Sequence, residues 1–526
     1  MVDVLVIGAG GAGLVAALSA KEAGASVRVL SKTYPTRSQT CMAQGGINAA
    51  LGNVGEDSVK SHYENTLKSA HGIADEKMID KLCSSAPDIL KWLDSIGVPF
   101  SRTQEGKIAQ RRLGGASASR ACYAQDYTGL KILHTLYDQC NAQDIEILSE
   151  RFLLELLVED GAVCGAEFLN IKTGEQEQFY AKSVILATGG YSRIYGKNST
   201  NAVGSTGDGI MAAYRAGAKL SDMEFVQFHP TGLKNSSILI SESARGEGGY
   251  LLNKEGKRFT NELAPRDEVS RAIYDELQNG GEVYIDIRHL GEEFIEHNLP
   301  QERKLAKLYE GVDPVFEIIP IKPVAHYTMG GIDVDENSQS SIKGLFAVGE
   351  CANQKVHGAN RLGGNSLLEL IVFGREVGRN AFQFAEQNTL TCKVLEPCLS
   401  VLNQAIKESS NSSFYQKRDE LANELYENVG IKREQKSLTC TLVSLQKLKS
   451  ELPHLGIKDT NKIYNSELVE FLEFKNMIDL SQMLVQGALK REESRGAHFR
   501  VDMPSENAAF KKNRVYYKNG EELCIE

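Results

Sequence analysis

The chain has 526 residues, of which 42% are hydrophobic and 24% are charged. This length exceeds what one hydrophobic core usually supports, so several domains are expected. The formal net charge of −10 disfavours a nucleic-acid-binding protein, because that function needs clustered Lys and Arg. No apolar run reaches the ~20 residues of a membrane helix.

The ten cysteines are spread along the chain without a CxxC pair or a His-linked spacing. In a chain of this size, that pattern predicts reduced thiols and no metal site. The N-terminus opens with an apolar run and shows no secretion signal. We therefore expect a cytoplasmic protein.

The first 32 residues have the pattern strand, glycine-rich turn, helix and strand, which is a βαβ unit. Gly8, Gly10 and Gly13 occupy the turn, where glycines let the backbone approach a pyrophosphate at the helix N-terminus. Ser31 and Lys32 stand where NAD-binding proteins usually carry a carboxylate. The missing carboxylate weakens NAD as the ligand of this unit.

Two further strand patterns end in glycine turns. The strand at 183–187 is followed by Thr188 and Gly189, and the strand at 344–348 by a turn that contains Glu350. Strands so far apart in sequence predict one parallel sheet interrupted by a long insertion. We expect Glu350 to supply an acidic contact to a ribose.

The remaining segments differ in their apolar spacing. Residues 233–343 carry mixed helix and strand signals and predict an inserted α+β domain. From about 395 to 489 the spacing becomes helical, which predicts a helical bundle. The tail from 491 onward is polar and charged.

Seven motifs carry a family resemblance through their order and spacing. They are residues 36–40 (TRSQT), 43–50 (AQGGINAA), 229–232 (HPTG), 242–249 (ESARGEGG), 265–267 (PRD), 326–331 (HYTMGG) and 357–368 (HGANRLGGNSLL). Together they resemble the succinate dehydrogenase/fumarate reductase flavoprotein family from residue 2 to about residue 500. The resemblance implies an α/β fold with a Rossmann-like FAD-binding domain in two pieces, at 1–232 and 344–392. It places a capping domain at 233–343, a helical domain at 393–490 and a short C-terminal region at 491–526.

The resemblance also assigns residues to the FAD cofactor by position. They are Gly8, Ala9, Gly10, Gly11, Ala12, Gly13, Ser31, Lys32, Ser38, Gln39, Thr40, Gln44, Gly45, Gly46, Thr188, Gly189, Asp208, Glu350, Ser366 and Leu367. Gln39 stands where many family members carry the histidine that binds FAD covalently, so we expect non-covalent FAD. Members without that bond tend to favour fumarate reduction, and the expected direction leans the same way.

By the same matching, a second set of residues binds and protonates a four-carbon dicarboxylate. The substrate carboxylates are assigned to His229, Ser241, His326 and Arg361, the proton donor is Arg266, and its relay is Glu242 and Arg245. A buried dicarboxylate needs cationic or strong donor groups at both ends, which these residues offer. The implied activity is the interconversion of fumarate and succinate by hydride transfer with FAD, in the tricarboxylic acid cycle or in anaerobic respiration.

Two alternatives stay open. L-aspartate oxidase shares this fold, and residues 70–75 (AHGIAD) resemble it more closely than they resemble the dehydrogenase. However, the oxidase usually meets its substrate ammonium with a glutamate where this chain has Leu113, a position at which the dehydrogenase usually has a phenylalanine. A flavin-binding scaffold without turnover is disfavoured, because it would not need the His and Arg set.

This chain has no cysteine cluster spaced for an iron–sulfur centre. The resemblance therefore implies a separate iron–sulfur subunit, and a membrane-anchor or quinone-reactive subunit could hold the complex at the cytoplasmic membrane. Docking is expected on the helical region and on residues 493–500. Arg495 and His498 could instead close the FAD-binding domain.

Overall fold

The computed structural model describes residues 1–388, 405, 413–520 and 522–526. The helices are α1 (Gly11–Glu22), α2 (Val59–Ser69), α3 (Glu76–Ser95), α4 (Thr128–Ala142), α5 (Asp208–Arg215), α6 (Glu242–Gly246), α7 (Arg266–Gln278), α8 (Glu292–Asn298), α9 (Pro300–Glu310), α10 (Asn365–Gln387), α11 (Phe414–Asn428), α12 (Gln435–Glu451) and α13 (Ser466–Lys490). Within these ranges, no helix is both long and apolar enough to cross a bilayer.

The strands are β1 (Val2–Ile7), β2 (Val27–Ser31), β3 (Ile47–Asn48), β4 (Gln110–Arg111), β5 (Ala121–Cys122), β6 (Glu146–Ser149), β7 (Arg151–Glu159), β8 (Ala162–Asn170), β9 (Gln176–Leu186), β10 (Leu220–Ser221), β11 (Val226–Leu233), β12 (Tyr250–Asn253), β13 (Val283–Asp286), β14 (Ile319–Thr328), β15 (Gly331–Asp333), β16 (Leu345–Ala347), β17 (Ala352–Asn353), β18 (Val515–Asn519) and β19 (Glu522–Ile525). The predicted α/β class is confirmed.

The central sheet joins strands from both pieces of the predicted FAD-binding domain. Its order is β6-β2-β1-β9-β8-β7, and β16 pairs with β9. β1 lies parallel to β2 and β9, and β16 lies parallel to β9. Residues 4–7 of β1 are buried, as expected for a parallel strand covered on both faces. The predicted interrupted parallel sheet is confirmed for these strands, while β7 and β8 extend it with antiparallel pairs that were not predicted.

Helices α1 and α10 pack tightly against each other beside this sheet. A Cβ on Gly378 of α10 would lie 2.3 Å from the Ala16 carbonyl oxygen of α1. Only glycine permits that approach, because any side chain would collide with the backbone. The first residues of both helices, near Gly11 and Ser366, consequently line the same cleft.

The inserted region has an apolar core of its own. Strands β11, β14, β13 and β12 form an antiparallel sheet in that order, and α7, α8 and α9 accompany it. The buried side chains from Leu233 to Ile321, including Val269 and Ile285, form a cluster apart from the two clusters around the central sheet. The α+β insertion is present, while its limits at 233 and 343 stay predictions.

The helical region contains α11, α12 and α13, in agreement with the predicted helical domain. Helix α13 is 25 residues long and buries most of its apolar side chains, including Phe474 and Leu484. It packs against α5 and α12. The predicted boundary between 392 and 393 lies outside the described residues.

The C-terminal region packs against the rest of the fold more extensively than its polar composition suggested. β18 and β19 extend a five-stranded sheet of order β17-β15-β10-β18-β19. Arg491 pairs with Glu224 at 2.6 Å and with Glu493 at 3.1 Å, and all three side chains are fully buried. Arg495 and His498 are 3% and 0% exposed. These two side chains close the fold, in agreement with the second alternative, and docking on residues 493–500 stays a prediction.

The cysteines agree with the sequence prediction at most described positions. Cys41, Cys83, Cys122, Cys140, Cys351, Cys440 and Cys524 are free thiols. Cys164 is disulfide-bonded, so the prediction of reduced thiols throughout is wrong there. Cys392 and Cys398 lie outside the described residues.

Candidate active site

A cleft of about 1020 Å³ opens where the carboxyl ends of β1, β9 and β16 meet the inserted region. It is lined by every cofactor residue assigned above except Gly13, and by every substrate or proton residue except Arg245. Those two lie directly behind its wall, against Gly8 and Glu242 respectively. The structure therefore brings the residues assigned from sequence motifs into one place.

The glycine turn after β1 shapes one wall of the cleft. Gly8 has a φ of +109°, and a Cβ there would lie 2.2 Å from the Ala187 carbonyl oxygen. A Cβ on Gly13 would lie 1.9 Å from the Gly8 carbonyl oxygen. Both glycines are required sterically, and the turn exposes the N-terminus of α1, which favours an anionic group.

Unpaired polar atoms in this wall indicate a ligand with its own polar groups. Ser38 Oγ and Gln44 Oε1 are buried and have no hydrogen-bond partner among the described residues. Both residues line the cleft. Buried polar atoms are normally hydrogen-bonded, so these two fit the polar edges of a large cofactor such as FAD.

Gln39 and Glu350 are held by backbone N–H groups. Gln39 Oε1 accepts a hydrogen bond from the Ala202 N–H at 2.6 Å, and Glu350 Oε1 accepts one from the Thr328 N–H at 2.9 Å. Burial raises the pKa of Glu350 to about 7, although the hydrogen bond from Thr328 opposes this shift. Glu350 is therefore poised to gain a donor from a ligand.

One part of the cleft, which we call the cationic end, is lined by His229, His326, Arg266 and Arg361. His229 lies on β11 and His326 on the paired strand β14, and their ring centroids are 4.9 Å apart. Burial, reinforced by the neighbouring guanidiniums of Arg266 and Arg361, lowers the pKa of both histidines well below the ordinary value. Both rings are therefore neutral donors or acceptors at neutral pH.

Hydrogen bonds orient the groups that face this end. The Thr231 N–H donates to His229 Nδ1 at 3.2 Å, which places the ring proton on Nε2. Ser241 Oγ accepts from the Ser243 N–H at 3.1 Å and caps α6, which leaves its hydroxyl proton to donate. His326 Nδ1 contacts Thr200 Oγ1 at 2.8 Å.

The side chains of Arg266, Glu242 and Arg245 form a continuous buried chain. Arg266 Nη2 lies 2.6 Å from Glu242 Oε2, and Arg245 Nη2 lies 3.3 Å from Glu242 Oε1. Burial raises the pKa of Glu242, but Arg266 and Arg245 outweigh it, so the net pKa lies below the ordinary value. A Cβ on Gly114 or Gly363 would lie 2.4 Å from a Glu242 oxygen. These glycines make room for the carboxylate.

The cationic end carries more positive than negative charge. Glu242 is shared by Arg266 and Arg245, whereas Arg361 has no ion-pair partner within the described part of the chain. Arg361 Nε is buried without a hydrogen-bond partner in that same part. Burial and the nearby Arg266 lower the pKa of Arg361 to about 10. Two guanidiniums therefore share one carboxylate and a third is unpaired, an excess of positive charge that the anionic groups of a ligand would balance.

Comparison with known proteins agrees with this geometry. A model of the FAD binding domain matches residues 3–367, and a model of the fumarate reductase flavoprotein C-term matches residues 418–525. A succinate dehydrogenase flavoprotein subunit from Rickettsia bellii is 41% identical over 96% of this chain and 91% of its own length. The chain belongs to the succinate dehydrogenase/fumarate reductase flavoprotein family.

Other members of the family resemble this flavoprotein to a similar degree. A fumarate reductase flavoprotein subunit from Haemophilus influenzae is 39% identical over 95% of this chain and 89% of its own length. A solved variant of the E. coli quinol fumarate reductase superposes with a TM-score of 0.94 at 36% identity, covering 100% of this chain and 96% of that one. The relatives from Rickettsia bellii and Haemophilus influenzae are named as subunits, which supports the expectation of partner subunits in general.

Two residues that contact the site, Gln227 and Thr200, were not foreseen from the motifs of the flavoprotein. Gln227 Oε1 accepts from Arg266 Nη1 at 3.0 Å, and Gln227 Nε2 donates to the Arg361 carbonyl oxygen at 2.7 Å. Because Gln227 precedes His229 by two positions on β11, strand periodicity could have placed both side chains on one face. Thr200, which contacts His326, belongs to no recognised motif.

Proposed function

We propose that this flavoprotein interconverts fumarate and succinate. The main supporting observation is the excess of positive charge, since Arg266 and Arg245 share the Glu242 carboxylate while Arg361 has no ion-pair partner among the described residues. A C4 dicarboxylate supplies the missing negative charge. Its flat shape and its carboxylates at both ends suit His229, His326 and Arg361, which line the same end of the cleft.

FAD is the cofactor that the cleft walls fit best. The glycine turn, Ser38, Gln44 and Glu350 would hold it, and Gln39 replaces the histidine of covalent members, so the cofactor binds non-covalently. When bound, FAD supplies or accepts the hydride of the reaction. Acid precipitation should release a yellow chromophore into the supernatant, whereas flavin fluorescence retained on a denatured gel band would contradict non-covalent binding.

Arg266 is proposed to carry the proton that accompanies the hydride. It lines the cleft, and Glu242 accepts hydrogen bonds from both its Nε and its Nη2, at 3.1 and 2.6 Å. Arginine is an unusual acid because its pKa is above ~12. A proton would return to Arg266 from Arg245 by way of the Glu242 carboxylate, which accepts it from one guanidinium and passes it to the other. Arg245 would then regain its own proton from solvent.

Substrate groups are oriented by neutral donors on the other side. The Nε2–H of His229, the hydroxyl of Ser241 and His326 would bind the carboxylates together with Arg361. Donors placed at both ends favour a bound geometry with the reacting carbon facing the cofactor, and such positioning is a large source of rate enhancement. Leu113 lines the cleft with an apolar side chain. It would offer no acceptor to a substrate ammonium, which favours fumarate over L-aspartate.

Partner subunits complete the proposal. Electrons would be exchanged with an iron–sulfur subunit, and further subunits would hold the complex at the cytoplasmic membrane. The direction leans toward fumarate reduction because Gln39 cannot form the histidyl bond. Comparing the rates of fumarate reduction and succinate oxidation with dyes of matched potential would test this preferred direction.

A direct test adds substrates to the flavin itself. Fumarate added anaerobically to the reduced holoprotein should restore the absorbance of oxidised flavin, and succinate should bleach the oxidised form. L-aspartate should leave the oxidised spectrum unchanged. Bleaching by L-aspartate without a response to succinate would assign the oxidase activity instead.

A further inference from the structure

A buried charged cluster connects the helical region to the cleft. We call it the Lys32 cluster, and it consists of Lys32, Asp208, Glu473 and Asn476. Lys32 Nζ donates to the Asp208 carboxylate at 2.6 Å and to the Glu473 carboxylate at 2.7 Å. It also contacts the Gly204 carbonyl oxygen at 2.8 Å. An ammonium has three protons, so these acceptors use the donors of Lys32 inside the protein.

One face of α13 makes the contact from the helical side. Glu473, Asn476 and Leu480 follow one another at spacings of three and four residues, so they share a face. Asn476 Nδ2 donates to Asp208 Oδ1 at 2.9 Å. A Cβ on Gly207 would lie 2.4 Å from Leu480 Cδ1. This face of α13 therefore presses directly on the loop at 204–208.

The same loop lines the cleft where the cofactor is proposed to bind. Val203, Gly204, Ser205 and Asp208 are lining residues, as is Lys32. Glu473 is 8% exposed and is absent from the lining, so it reaches the cleft only through Lys32. Its position in the helical region makes it a link between that region and the loop.

Electrostatics tie the cluster together. Burial raises the pKa of Glu473, and the Lys32 ammonium opposes that shift. Burial alone would lower the pKa of Lys32, but Asp208 and Glu473 together raise it above its ordinary value. A buried charge-assisted contact of this kind is expensive to leave unmade.

We propose that Glu473 is a positioning residue for FAD, so that docking of α13 on the loop at 204–208 determines how firmly the cofactor is held. The inference rests on the proposed FAD site. Glu473 and Asn476 hold the loop and Lys32 in place before the cofactor arrives, which lowers the ordering cost of binding. Because FAD is proposed to bind non-covalently, the contribution of Glu473 can be measured as a change in the dissociation constant of FAD.

The test is a titration of the full-length apoprotein with FAD, in which quenching of the flavin fluorescence reports binding. Glu473→Ala should raise the dissociation constant about tenfold, the size of one charge-assisted hydrogen bond. In a Lys32→Met background the same change should have no further effect, because Glu473 acts through Lys32. Asn476→Ala removes the Asp208 contact together with the hydrogen bond that Asn476 Oδ1 accepts from Arg215 Nη1. It should raise the constant about threefold and serves if Glu473→Ala does not fold.

Glu470→Ala is the matched control. Glu470 lies one turn earlier on α13 and pairs with Arg418 at 2.8 Å, with 37% of its side chain exposed. The Glu470→Ala variant should bind FAD with the same dissociation constant as the parent protein. An unchanged or tighter constant for Glu473→Ala, an equal loss in Glu470→Ala, or a full additional loss in the Lys32→Met background would each overturn the inference. A parent protein that binds no FAD would overturn the proposed function itself.

Discussion

The Lys32 cluster and the cationic end differ in how their charges are paired. In the Lys32 cluster, Lys32 is surrounded by Asp208, Glu473 and a backbone carbonyl, so its charge is matched inside the protein. At the cationic end, Arg361 is buried without an ion-pair partner among the residues that the structure describes. Buried charges that are paired within the protein need no ligand, whereas a buried charge without a partner is costly unless a ligand supplies the counter-charge. Under the proposed function, the substrate carboxylates bind at the cationic end and supply its missing counter-charges.

The largest expected effect comes from Arg266→Lys. Lysine keeps the charge but lacks the fork that contacts both Glu242 and Gln227, so proton delivery should fail. We expect turnover of fumarate to fall at least about 10²- to 10⁴-fold, with FAD still bound by absorbance. Arg288→Lys is the control, since Arg288 pairs with Asp286 near the surface. Undiminished turnover in Arg266→Lys would remove Arg266 from the mechanism.

Arg361→Gln should have the next largest effect. It removes the unpaired guanidinium and leaves a substrate carboxylate buried without its counter-charge, so kcat/KM for fumarate should fall about 10²- to 10³-fold. Crotonate is a monocarboxylate of similar shape that lacks the second carboxylate of fumarate. Its kcat/KM should therefore fall less when the Arg361 guanidinium is removed. The ratio of kcat/KM values for fumarate and crotonate should therefore shrink, and an equal loss for both acids would indicate a structural role.

Glu350 should make FAD binding depend on pH. Its pKa of about 7 in the cofactor-free protein means that the carboxyl is protonated below that pH, while a ribose hydroxyl donates to the ionised form. FAD affinity should therefore be constant above about pH 7 and fall by up to about tenfold per unit below it. Glu350→Gln should bind more weakly and lose this dependence. A parent protein with a flat profile would contradict the ribose contact.

The smallest expected effect comes from Thr200→Val. It removes the contact with His326 Nδ1, a neutral hydrogen bond whose loss costs about 1 kcal/mol. The KM for fumarate should rise about two- to tenfold, with kcat nearly unchanged. Thr439→Val, on the exposed side of α12, should leave both constants alone. A loss confined to kcat would show that Thr200 does not act on substrate binding.

The cleft could be predicted from sequence because its parts are local patterns. The glycine turn at 8–13 follows a strand and opens a helix, and each His or Arg lies in a short recognisable run. Glu473 belongs to no such run. It contacts Lys32 across 441 positions of sequence, and only the packing of α13 on the loop brings the two together.

The C-terminal region shows a second limit of prediction from composition. Its charged residues suggested a surface tail, but Arg491, Glu493 and Arg495 pair with one another and with Glu224 in the interior. Composition reports how many charges a segment carries and not whether they neutralise each other. Buried charges are tolerated when such pairing is complete.

Gln227 joins three stretches of chain that the sequence keeps far apart. Its amide oxygen accepts from Arg266 of the insertion, and its amide nitrogen donates to the backbone of Arg361 in the second piece of the cofactor domain. The positions of Arg266 and Arg361 relative to each other therefore depend on all three stretches being folded together, whereas the glycine turn after β1 depends on local sequence.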